Sequence, residues 1–194
     1  MTAQKYLGKW LDNGSQRRLV ATSLYKPMTS LELCRLCREQ NPSVQPQDVW
    51  ALLRDMANKG IAMAVNSRLR KGRLYYLTDM GRSLLLKHFG LKRDPLDTTI
   101  CWDSYGSIVC AKLRKKILGE IIQPSLLGWT ENTATEIKKR LRDSHPASIG
   151  RVSRAIRELA CDKLIRCCKI KKAYDQKIYE ATSMGRRVME WIKK

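Results

Sequence analysis

The sequence predicts a mainly α-helical chain with small β-hairpins, an α+β class, in which one module occurs twice in tandem. Three observations carry this prediction. The 194 residues repeat themselves at an offset of about a hundred positions. Each copy has helix-start signals followed by apolar stripes of helical period. Each copy then has two short extended runs that flank a basic turn.

The repeat aligns residues 28–86 with 132–189, with one small gap before the third helix and another after it. Thr29, Glu32, Arg38 and Pro42 match Thr133, Glu136, Arg142 and Pro146. Val49, Arg54 and Ala57 then match Val152, Arg157 and Ala160, and Lys59 and Ile61 match Lys163 and Ile165. Tyr75 matches Tyr179, and Thr78-Asp-Met-Gly81-Arg82 matches Thr182-Ser-Met-Gly185-Arg186. The duplication places a first domain at 1–90, a linker at 91–104 and a second domain at 105–194. The join is polar and contains Pro95, which discourages helix continuation.

In the first copy, residues 16–25 read as a helix with Leu19, Val20 and Leu24 on one side and Arg17 and Arg18 on the other. Thr29 followed by Glu32 is a capping-box pattern for the next helix, and Thr133 with Glu136 repeats it. That second helix, 30–40, buries Leu33 and Cys37, the counterparts of Ile137 and Leu141, and Pro42 or Pro146 ends it. A third helix spans 46–58 and 149–161. Its apolar stripe is Val49, Leu52, Leu53 and Met56, or Val152, Ala155, Ile156 and Leu159. The opposite face carries Gln47, Ala51, Arg54 and Asn58, or Gly150, Arg154, Arg157 and Cys161. Extended runs at 61–65 and 73–77, and at 165–170 and 177–181, form the hairpins. Thr78 and Thr182 are placed to cap a closing helix.

The ending of the first hairpin, Tyr76-Leu-Thr78-Asp-Met-Gly81-Arg82, is similar to the Tyr-x-Leu-Thr-x-x-Gly-Arg wing ending of MarR, PadR and related regulators. In the second copy Ala181 stands where Leu is usual. The resemblance covers 17–89 and 112–192 and implies two tandem winged helix-turn-helix domains. It further implies that the third helix enters a DNA major groove, while the hairpin reaches the flanking backbone or minor groove.

Charge agrees with a polyanionic partner. The chain has 38 Lys+Arg against 18 Asp+Glu, a net +20, which costs self-repulsion unless an anion relieves it. Both copies share the excess, with 17 basic and 8 acidic residues through Asp97 and 21 and 10 in the remainder. In the second copy Arg154 and Arg157 point outward together with Arg151 on their flank. Arginine binds a guanine edge bidentately or clamps a phosphate. The first copy offers Gln47 and Arg54, with Asp48 near the helix start, where a carboxylate repels phosphate or accepts from a cytosine amino group. Arg68, Arg70, Lys71 and Arg73 surround the first turn, and Lys169, Lys171, Lys172 and Lys177 the second. Equivalent basic turns in both copies point to polyanion contact with a steep salt dependence. Trp50 flanks the apolar stripe and is expected to pack. Trp10, Trp102 and Trp191, near the module ends, are expected to join modules or form a dimer surface.

Seven cysteines in a chain without a signal-peptide pattern read as reduced thiols of a cytoplasmic, nucleoid-associated protein, or of a nuclear one. Cys34-x-x-Cys37 lacks a matching zinc half-site, so no metal or other cofactor is expected. Cys37 matches core Leu141, whereas Cys34 matches Lys138 and is expected to be more exposed, which leaves a redox-responsive pair with Cys37 open. No nucleotide-binding loop, nucleophile elbow or zinc-protease motif is present, and His88 and His145 have no evident triad, so an enzyme is not expected. The expected partner is double-stranded DNA with no membrane, bound by a homodimer or by a monomer acting as a pseudo-dimer. Tandem winged helices also serve as protein-interaction scaffolds, a use that requires neither +20 nor two basic wings. Plasmid-type replication initiators need the same groove contacts as transcription regulators. RNA binding is the further alternative, and an exposed helix suited to a major groove favours DNA over it.

Overall fold

The computed structural model describes residues 3–69, 72–123, 131–142, 146–171 and 176–193. The chain divides into two compact units, Met1–Thr98 and Thr99–Lys194. The described residues are mainly helical with small antiparallel sheets, and no helix among them is long and apolar enough to cross a membrane.

The first unit contains α1 (Ala3–Asp12), α2 (Ser15–Ser23), β1 (Met28–Thr29), α3 (Ser30–Gln40), α4 (Pro46–Asn58), β2 (Ala62–Ala64), β3 (Leu74–Leu77) and α5 (Asp79–Phe89). Its antiparallel sheet has the order β1-β3-β2, with Met28 opposite Tyr75 and Ala62 opposite Leu77. Leu74 to Leu77 are all buried, because the central strand is covered on both faces and has no polar side to alternate with. Val20 and Leu24 from α2, Leu33 and Cys37 from α3, and Val49, Leu53 and Met56 from α4 meet Leu77 and Leu85 in one core. At the far end of the unit, Arg93 donates to Thr22 O at 2.7 Å and Tyr76 Oη donates to Asp94 O at 2.5 Å. Part of the segment read as a linker therefore lies against the first unit.

The second unit contains α6 (Trp102–Val109), α7 (Lys112–Ile122), α8 (Ala134–Arg140), α9 (Ile149–Cys161), β4 (Ile165–Lys171), β5 (Gln176–Ala181) and α10 (Ser183–Lys193). Its sheet, among the described residues, is the antiparallel pair β4-β5. Where Met28 of β1 pairs with Tyr75, the second unit keeps a single bond, Tyr179 N–H to Asn132 O at 3.1 Å.

Both units place an additional helix ahead of the three the sequence predicts. Trp10 of α1 lies under the Arg17 guanidinium, 4.7 Å from its ring centroid, and beside Lys59 at 5.1 Å. Trp102 of α6 makes edge contacts at 5.4 Å with Tyr105 and with Trp191 of α10. These tryptophans thus make packing contacts within their own units. Helix α6 begins without a side-chain cap, so it lacks the start signal that marks α3.

The caps at Thr29 and Thr133 differ in one respect. Thr29 Oγ1 accepts from Glu32 N at 3.2 Å, and Glu32 returns the contact by accepting from Thr29 N at 2.9 Å. Thr133 accepts from Glu136 N in the same way, but the Glu136 carboxylate turns to Lys139 Nζ at 3.0 Å. The second capping box is therefore half of the expected one.

The strongest repeat segment is a latch between strand and helix. Thr78 N donates to Ile61 O at 3.0 Å, its hydroxyl donates to Gly60 O at 2.5 Å, and Gly81 N donates back to that hydroxyl at 3.1 Å. Thr182 does the same with Leu164 O at 3.0 Å, Lys163 O at 2.8 Å and Gly185 N at 3.1 Å. A Cβ on Gly81 would fall inside Ile61 O, and one on Gly185 inside Leu164 O, so only glycine lets the helix start lie on that carbonyl. The latch also corrects the alignment. Ile61 is equivalent to Leu164, and Gly60 (φ 69°) to Lys163 (φ 57°), so the second gap falls inside the hairpin and not before Lys59. Sequence identity at Lys59 and Lys163 is coincidental, because the backbone conformation matches Lys163 to the glycine.

Gly81→Ala or Gly185→Ala is expected to destabilise its unit by about 3 kcal/mol, since a backbone carbonyl has to move. Urea unfolding of each variant measures this. Lys163→Gly is expected to stabilise by about 0.5–1 kcal/mol, as relief of left-handed strain exceeds the entropy glycine adds to the unfolded chain. The thermal midpoint of that variant should rise.

Candidate nucleic-acid interface

The turn between α3 and α4 is fixed by Arg38, whose Nε donates to Val44 O at 2.8 Å and whose second amino group donates to Gln45 Oε1 at 3.1 Å. Pro46 opens α4, where its missing N–H costs nothing. Asp48 turns back to accept from Gln45 N at 3.3 Å, so its charge serves the helix start. Gln47 and Arg54 are exposed on the outer face, as the wheel predicts. Trp50 is on that face too, 50% exposed, with the Arg54 guanidinium 4.9 Å from its ring centroid. The expectation that Trp50, flanking the apolar stripe, packs is therefore corrected, since half of the side chain is exposed. Spacing carries a signal for this, because position 50 is three residues after Gln47 and four before Arg54, and such neighbours share a helix side.

The first hairpin is closed at its base by Asn66, a buried side chain. Its Nδ2 donates to Gly72 O at 2.8 Å and its Oδ1 accepts from Leu74 N at 2.6 Å. Gly72 takes φ 79°, a left-handed value suited to glycine. Arg68 and Arg73 are exposed, and Arg73 Nε reaches Leu69 O at 3.4 Å within the turn. Arg70 and Lys71 lie outside the described residues.

In the second unit Ser148 caps α9 by accepting from Arg151 N at 3.4 Å. Arg151, Arg154 and Arg157 are exposed, and none pairs with a carboxylate among the described residues. The nearest acids are occupied elsewhere. Arg114 of α7 approaches Glu158 at 3.6 Å and Asp162 at 3.9 Å, and Asp162 also accepts from Ser107 Oγ at 2.9 Å. A groove between α7 and α9 is lined by Lys112, Arg114, Arg151 and Arg154, together with Glu158. Sequence reasoning does not single out Lys112 or Arg114, because only packing of α7 on α9 brings them there. Not every cation is available to a partner. The Arg140 side chain is 1% exposed, and it donates to Asn132 Oδ1 at 2.8 Å and to Glu120 O at 3.3 Å. Burial lowers its pKa from the usual arginine value, opposed by the charges of Glu120 and Glu136.

The second hairpin is longer and bulged. Cys167 is opposite Tyr179 and Lys169 opposite Ile178, so Cys168 is the extra residue on β4. Arg166 and Glu180 form an ion pair across the strands. Lys169 and Lys177 are exposed beyond the bulge, and Lys171 ends β4 opposite Gln176. Lys172 lies outside the described residues.

Cys34 and Cys37 are both buried, at 1% and 0% exposure, and Cys34 Sγ lies 3.9 Å from Val44 O. This overturns the expected exposure of Cys34. The chain after α3 folds Val44 over it, whereas repeat matching to Lys138 considers the helix alone. Burial pushes the Cys37 thiol pKa up, against a hydrogen bond with Ser23 that lowers it. No protein-family model matches the sequence, and no curated protein is significantly similar to it.

Iodoacetamide applied to the native chain is expected to alkylate the exposed Cys101, Cys110, Cys161, Cys167 and Cys168 and to spare Cys34 and Cys37. Peptide mass mapping before and after denaturation checks this.

Proposed function

We propose that this chain is a sequence-specific double-stranded DNA-binding protein, a non-enzymatic transcription regulator built from two tandem winged-helix domains. The observation that carries the reading is the outer face of α9, where three exposed arginines recur at every third residue without carboxylate partners among the described residues. Helix α9 has 13 residues, about 20 Å at 1.5 Å per residue, and B-DNA's major groove admits an α-helix. An arginine there forms two parallel hydrogen bonds to a guanine edge or holds a phosphate. The exposed hairpin cations Arg68, Arg73, Lys169 and Lys177 suit the flanking backbone, which fixes register without reading sequence.

The acids near α9 support the same reading. Glu158 and Asp162 approach Arg114 and form no ion pair with the outer-face arginines among the described residues, which leaves those guanidiniums to meet phosphate. The excess of +20 then favours association through release of counterions from the duplex. Two non-identical helices in one chain suit an asymmetric site bound by a monomer. In this reading the protein works in the nucleoid or the nucleus.

Duplex binding is expected to weaken steeply with salt. Arg154→Ala/Arg157→Ala should lower affinity and relax sequence preference. Lys169→Ala/Lys177→Ala and Arg68→Ala/Arg73→Ala should each flatten the log–log salt slope by about 0.9 per lost phosphate contact. Fluorescence anisotropy across a salt series, on two duplexes of different sequence, measures affinity, salt slope and sequence preference, and unchanged affinity in every variant refutes the assignment.

A further inference from the structure

The outer faces of the two equivalent helices carry different chemistry. Trp50, Ala51 and Arg54 of α4 occupy the positions of Ser153, Arg154 and Arg157 in α9. Only the last arginine is common to both. The indole of Trp50 is half in water, Arg54 covers part of it, and Ala51 leaves open the place that Arg154 fills in the second unit. Asp48, the acid of the first turn, is turned back to the chain at Gln45.

We propose that the outer face of α4 is a stacking platform for unpaired nucleobases, giving the first unit an affinity for single-stranded nucleic acid. The inference rests on the nucleic-acid reading above and assigns this helix a different form of the ligand. In a duplex both faces of each base are covered by its neighbours, and only edges are offered to the groove. An indole has one N–H donor and no acceptor, so it reads an edge poorly, whereas its flat face matches that of an unstacked base. Arg54 serves two purposes here. It holds the ring by a cation–π contact and places a positive charge beside it for the adjoining phosphate.

Charge argues for a nucleic acid over a protein as the occupant. The residues through Asp97 carry 17 basic and 8 acidic side chains, and the exposed Arg68 and Arg73 add cations on the hairpin of the same unit. An apolar protein surface would need neither. A single strand supplies both the aromatic face and the phosphates, and stacking of this kind tolerates any base.

The test uses the full chain with an oligothymidylate that carries one fluorescent purine analogue, and with a hairpin duplex of equal length. Trp50→Leu keeps every charge and alters an exposed side chain, and a melting curve checks that it stays folded. It is expected to weaken single-strand binding about tenfold, to abolish quenching of the analogue, and to change duplex affinity less than twofold. Trp50→Tyr should restore most of the binding and the quenching, which a charge effect would not do. Arg154→Ala/Arg157→Ala should show the opposite pattern. Equal losses on both ligands with Trp50→Leu would make Trp50 a groove contact, and no loss on either would remove it from the interface. Each of these results overturns the proposal. A wild-type chain that binds the single strand through Trp50 but ignores the duplex would overturn the double-strand reading alone.

Discussion

The hairpin and the closing helix of each unit are joined by a threonine whose backbone and hydroxyl engage two consecutive carbonyls and one amide. At Thr78 the partners are Gly60, Ile61 and Gly81, and at Thr182 they are Lys163, Leu164 and Gly185. The contact satisfies backbone groups at the place where a strand leaves the end of a helix, where such groups would otherwise be lost from water without a partner. It also sets the path of the hairpin, since the chain reaches β2 or β4 directly from α4 or α9. The glycine is required by the same closeness. That shared requirement explains why this segment is the best conserved between the two halves of one chain.

Outside the latch and the core, the two halves have been free to diverge. Residues on the outer faces of α4 and α9 contribute little to stability, and exposed substitutions usually change it by less than about 0.5 kcal/mol. One helix has accumulated arginines with no carboxylate partner among the described residues and the other an indole under a guanidinium. The hairpins differ as well. The first is short and clamped by buried Asn66, and the second is longer, bulged at Cys168 and braced by Arg166 with Glu180. A common scaffold thus presents two surfaces of different chemistry.

The distribution of charge shows a similar separation. Arg38 and Arg140 are spent on the fold, one closing a turn through Val44 O and the other buried against Asn132 and Glu120. Arg114 engages the acids that lie nearest the α9 arginines. The remaining excess is left exposed on helix faces and hairpins, where water and salt moderate the repulsion. A count of basic residues cannot distinguish these uses, because a guanidinium is five donors on a flexible stem, and its partners are set by the surrounding backbone.

Local chemistry made much of this protein legible in the sequence. Helices α3, α4 and α9, the two hairpins and the caps at Thr29, Thr78, Thr133 and Thr182 follow from side-chain period and from donors and acceptors a few residues apart. The outward direction of Gln47, Arg54, Arg151, Arg154 and Arg157 follows from the same period. Other features required the packed chain. Helix α6 lacks a capping signal and is held by contact with a distant helix, as with Trp102 on Trp191. Cys34 is buried by Val44, ten residues away, and Lys112 and Arg114 reach the α9 groove only because α7 lies against it. Trp50 was misread because hydrophobicity speaks for burial, while the helix wheel and the neighbouring Arg54 place it outside. Sequence alone determined those elements whose signals lie between neighbours along the chain. Tertiary structure decided which side chains are covered and which cations are spent, since both depend on neighbours in space.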